Sequence, residues 1–72
     1  MEKLIVLWRV SITHYDFTKT VTSKVSYGYY RQRPENTIVK NTGNLKGWTE
    51  IKFFENKEDA QKCVWEAEEL AG

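Results

Sequence analysis

Cysteine and histidine occur once each in these 72 residues, at positions 63 and 14. A lone cysteine excludes an internal disulfide. Together with one distant histidine it falls short of the four ligands of a structural zinc site. Long apolar runs are missing too: in the opening MEKLIVLWRV, residues 4–8 are apolar before Arg9 interrupts them. A membrane span needs about 20 apolar residues, and a secretory leader needs a longer core followed by a small-residue cleavage site. The expectation is a cytoplasmic protein that does not enter membranes, and a reduced Cys63 fits that compartment. The sequence has no glycine-rich phosphate loop, metal-ligand spacing or nucleophile–base pattern. His14, with Asp16 two residues on, comes nearest to a catalytic pair, but a turn histidine is ordinarily only solvated. Cys63 falls among apolar helix positions, where it serves as a small hydrophobe. These features predict a protein that is not an enzyme and has no cofactor and no metal.

Aromatic side chains, by contrast, are plentiful: three Trp, four Tyr and three Phe. A domain of this size buries only roughly 60% of the surface its unfolded chain exposes. Dense aromatic packing, self-association or a partner must supply the remaining stability. Charge is unevenly spread. Residues 1–54 carry nine Lys/Arg against four acids, net +5, whereas residues 55–72 carry two lysines against six acids, net −4. A basic body is thus followed by an acidic terminal segment.

Residues 4–13 alternate and are rich in β-branched and aromatic types, which predicts a strand with Val6, Trp8, Val10 and Ile12 on one face. Residues 14–19 read as a turn. Residues 20–32 predict a second strand. It presents Val21, Val25, Tyr27 and Tyr29 to the core, and Thr22, Lys24, Ser26, Gly28, Tyr30 and Gln32 to the other face. Gly28 in mid-strand implies a bulge or an aromatic ring lying across it. Arg33, Pro34, Glu35 and Asn36 suit a β-turn. A short strand at 37–41, a loop TGNLKG at 42–47 and a fourth strand at 48–54, with Ile51 and Phe53 inward, complete the sheet. The period then changes. Asn56 is a fitting N-cap, followed by Glu58 and Asp59 at the positive end of a helix. Ala60, Cys63, Val64, Ala67, Leu70 and Ala71 form one apolar stripe over about 57–70. The expected fold is α+β: one domain, an antiparallel meander of about four strands with the C-terminal helix packed on one face.

Two surfaces compete for function. At 100° per residue Trp65 falls opposite the apolar stripe, among Glu58, Gln61, Glu68 and Glu69. A tryptophan on an outer helix face is a preferred interface anchor, and its acidic surround suits a basic protein partner. The second candidate is the sheet face away from the helix, where Arg9, Lys24, Tyr30, Trp48 and Lys52 are expected, with Lys40 or its neighbour. Arg31 and Arg33 follow in the stretch KVSYGYYRQRP. Guanidinium groups beside aromatic rings are what a DNA- or RNA-binding sheet uses to hold phosphate and stack bases. A dimer-forming structural subunit is the third expectation.

GYYRQRPENTIVK (28–40) and EDAQKCVWEAEEL (58–70) resemble the arm-type DNA-binding domain of tyrosine integrases. That resemblance implies a small sheet reading the major groove beside a C-terminal helix. This chain departs from the pattern in its extra N-terminal strand, an insertion at 41–53 and an acidic helix. In size and style the chain is also similar to compact accessory proteins of phages and mobile elements, including anti-restriction and anti-CRISPR inhibitors. This likeness implies inhibition of a larger host protein by direct binding. Protein–protein recognition is therefore the first expectation, and nucleic-acid binding through the basic sheet is the alternative.

Overall fold

The computed structural model describes residues 3–16, 20–41 and 46–71. Four strands and a helix follow in chain order: β1 (Ile5–Tyr15), β2 (Val21–Tyr30), β3 (Thr37–Asn41), β4 (Gly47–Phe54) and α1 (Lys57–Ala71). The architecture is α+β, an open antiparallel sheet with one C-terminal helix packed against it. The predicted turn at 14–19 is shorter at its start, because β1 continues through His14 and Tyr15. Residues 17–19 of that turn and 42–45 of the TGNLKG loop lie outside the described residues.

The strand order is β2-β1-β4-β3, so the sheet departs from a plain meander at one place. Two hairpins, β1–β2 and β3–β4, join through β1 and β4, and the link at 31–36 runs from one edge strand to the other. This link is tied to β4 through Arg33 and Asn36, where β3 has not yet begun. Phe53 N–H donates to Asn36 Oδ1 (3.2 Å), and the Arg33 guanidinium donates to Phe53 O (2.7 Å). These two side chains stand in for a missing backbone partner.

Register fixes the faces. Trp8 lies opposite Tyr27 and Phe54, Val10 opposite Val25 and Lys52, and Ile12 opposite Ser23 and Glu50. The helix covers this face, and Val10, Ile12, Ala60 and Val64 form its buried centre, flanked by Trp8, Val21, Val25, Phe54, Cys63 and Ala67. The stripe of α1 packs as expected up to Ala67, but Leu70 is 90% exposed and lines an open groove between α1 and the sheet. Asn56 caps the helix: its Oδ1 accepts from Asp59 N–H (2.8 Å) and its Nδ2 donates to Asp59 Oδ2 (2.9 Å).

One expectation about β4 is reversed. Ile51 and Phe53 point away from the helix, because pairing with β1 places Trp48, Glu50, Lys52 and Phe54 on the helix side. Phe53 is nevertheless buried. It meets Tyr30 edge to face (5.5 Å) on the far side of the sheet, the side on which Leu7 is also buried. Gly28 lies opposite Leu7 in unbroken register, so there is no bulge. The Tyr30 ring lies across it instead, 3.5 Å from where a Cβ would be.

Candidate protein interface

The helix begins over Trp8, where Lys57 Nζ stands 5.9 Å from the ring centroid. It runs toward the opposite end of the sheet, where Ser23 Oγ donates to Glu68 Oε1 (3.4 Å). Its inner positions are therefore committed to β1, β2 and β4. Trp65 points the other way and is 62% exposed. Glu58, Glu68 and Glu69 are exposed and Gln61 half-buried, and all four belong to the same outer half of the helix as Trp65. The surface expected from the sequence is thus assembled: one large ring among carboxylates. The only described cation at neighbouring helical spacing is Lys62, at i−3.

The expected basic sheet face comes apart. Arg9, Lys24 and Tyr30 do share the face away from the helix, but Trp48 and Lys52 lie on the helix side, and Lys40, opposite Trp48, goes with them. The cause is the β4 register just described, which shifts every β4 side chain to the face opposite the one expected. Tyr30 is occupied against Gly28 and Phe53. Arg33 holds the Phe53 carbonyl and lies 3.6 Å from Glu55, so it serves the fold. Arg31 leaves β2 in the same link and is exposed. Around Arg9 and Lys24 the open face is otherwise hydroxyl-rich. Thr13 and Thr49 hydroxyls meet at 3.1 Å, and Thr49 donates onward to Asn41 Oδ1 (3.0 Å).

On the helix side, a groove of about 490 Å³ opens between α1 and β4. His14 lies in it with Nε2 2.9 Å from Glu50 Oε2, and its ring stacks on Trp48 at 4.5 Å. Glu50, one strand away, is the partner that local sequence spacing would assign to Asp16. Only the β1–β4 pairing reveals it. Cys63 lines the same groove, and burial pushes its thiol above the ordinary value, with Glu50 and Glu66 adding to the rise and Lys52 opposing it. A thiol so placed is less nucleophilic at neutral pH than a free one. Among the described residues, no three metal-ligating side chains gather into a cation site, and no helix is long and apolar enough to cross a membrane.

Tyr27 and Tyr29 depart from expectation in a different way. They occupy the predicted face, yet are 61% and 66% exposed. The helix starts at the level of Trp8 and runs away from them, so Leu4, Val6, Tyr27 and Tyr29 form an uncovered apolar end of the sheet. Alternation alone told which face these rings occupy. It could not tell how far along the sheet the helix would reach.

No protein-family model, curated protein or solved structure matches this chain.

Proposed function

We propose that this protein is a non-enzymatic recognition module that binds a larger protein through the outer face of α1. The observation that carries this reading is Trp65: a ring 62% exposed, on a helix whose opposite face already packs the core. Among the described residues the ring has no hydrogen-bond or aromatic partner. Glu58, Glu68 and Glu69 around it favour a basic surface on the partner. Such rim charges act mainly on association rate and its salt dependence, while the buried ring supplies affinity. Occupying the surface of a larger enzyme, in the style of the compact inhibitors the sequence resembles, is one use of such binding. In the groove, burial pushes the Cys63 thiol up, which disfavours a thiolate nucleophile beside His14.

The test compares wild-type and Trp65→Ala protein as immobilised baits, with the melting temperature of each. The variant is expected to melt as wild type does. Its capture of the partner should fall about 30-fold, the affinity equivalent of a hot spot of about 2 kcal/mol. Equal capture by both baits would remove the helix from the interface. If binding is instead lost together with stability, Trp65 is a packing residue.

A further inference from the structure

Strand β2 is an edge strand ten residues long, and among the described residues it pairs with β1 alone. Long edges that lack protection recruit another strand, and the usual guards are brevity, charge and proline. The other edge, β3, has five residues and carries Lys40. Strand β2 has one charge, Lys24, and that side chain points to the face away from the helix.

The helix-side row of β2 is Val21, Ser23, Val25, Tyr27 and Tyr29. It is small where the helix lies over it and large where the helix is absent. An antiparallel copy reverses this order, so the large half of each strand meets the small half of the other. We propose that β2 pairs with β2 of a second copy of this chain, making a two-fold dimer with a continuous eight-stranded sheet.

The register is narrowly bounded. A two-fold axis perpendicular to the sheet keeps each side chain on its own face, so only pairings that match helix-side residues with helix-side residues survive. Two of these use nearly the whole strand. Centred on Val25, Tyr27 faces Ser23 of the partner copy and Tyr29 faces Val21. Centred on Ser26, Tyr27 faces Val25 and Tyr29 faces Ser23. In both, Lys24 meets a small neutral residue (Ser26 or Gly28) and never its own copy, so no like charges oppose each other. Both also bring a tyrosine beside Ser23, where Glu68 already accepts a hydroxyl and can take a phenol as well. A specific interface needs about 1,000 Å² in total. Four exposed tyrosine rings bring on the order of 100 Å² apiece, and the two strand edges with Val21 and Val25 add the remainder. This dimer shares Glu68 with the Trp65 surface but does not use the Trp65 ring, so substitution of Trp65 leaves it intact.

Sedimentation and light scattering on the native chain should give twice the monomer mass at roughly 100 µM, where a dimer of micromolar Kd is almost fully formed. The pair Tyr27→Lys with Tyr29→Lys, both exposed positions, should give the monomer mass with an unchanged far-UV spectrum, while Trp65→Ala should remain a dimer. A second probe serves if the lysine pair disturbs folding. In a Cys63→Ser background, Val25→Cys or Ser26→Cys should oxidise readily to a disulfide-linked dimer, because the residue on the axis faces itself, whereas Thr22→Cys should not. A monomer mass at this concentration overturns the proposal and leaves β2 as an edge for another protein's strand. So does a dimer whose cross-linking is no better at 25 or 26 than at 22.

Discussion

Gly47 has no room for a side chain. Its φ is +152°, and a Cβ there would sit 1.8 Å from the His14 carbonyl oxygen. This contact opposes Tyr15 and fixes where β4 starts along β1, and with it the face of every later β4 residue. Gly47→Ala should therefore cost at least about 2 kcal/mol, combining an unfavourable φ with a backbone clash. Chemical denaturation would check this, and a loss below about 0.5 kcal/mol would mean that the register is set elsewhere. In the sequence Gly47 reads only as the end of a loop, since nothing local signals an approach to a strand more than thirty residues away. Cys63 was more legible: it falls on the apolar stripe and proves half-buried. A raised pKa leaves less thiolate at any given pH. Alkylation at pH 8 should therefore be severalfold slower in the native protein than after denaturation. Equal rates would show an open thiol.

Helix α1 follows from its sequence almost entirely. The change from period 2 to period 3.6, the Asn56 cap and the acidic first turn mark its start, and its inner and outer faces follow from spacing alone. Asn56 Oδ1 satisfies the first-turn Asp59 N–H, and the bond from Asn56 Nδ2 to Asp59 Oδ2 holds the capping side chain in place. Asn56→Ala should thus cost about 1 kcal/mol, which in a domain of this size lowers the melting temperature by about 4–8 °C. An unchanged midpoint would mean that the helix start is held by Trp8 and Lys57 instead. β4 was legible as a strand but not in its orientation. GWTEIKFF alternates apolar residues on both faces, with Trp48 and Phe54 on one and Ile51 and Phe53 on the other, so pattern alone cannot choose between them. Pairing with β1 decides. It gives Phe54 to the helix core and Phe53 to the smaller cluster with Tyr30, and it carries Trp48 and Lys52 away from Arg9 and Lys24.

At the scale of the molecule, the helix side of the sheet carries mixed charge and the open side is basic. The acidic helix shares its side of the sheet with Lys40 and Lys52, Arg9 and Lys24 are on the other, and among the described residues the buried hydrophobic set is small: Leu7, Val10, Ile12, Phe53, Ala60 and Val64. A core of this size leaves a thin margin, and large apolar side chains remain outside it at the uncovered sheet end and on the helix. The outer position of Trp65 was readable from helical spacing because it depends only on α1 itself. The fate of Tyr27 and Tyr29 was not, because it depends on where the helix docks. The proposed meeting surface with the partner is the Trp65 face of α1. The most direct measurement is a 15N spectrum of the labelled protein, titrated with the captured partner at low and then moderate salt. Shifts or broadening should centre on the Trp65 indole and the amides around Gln61, Glu68 and Glu69, with a weaker effect at higher salt. A response centred on Arg9, Lys24 and the open sheet face, with the indole unmoved, would contradict it.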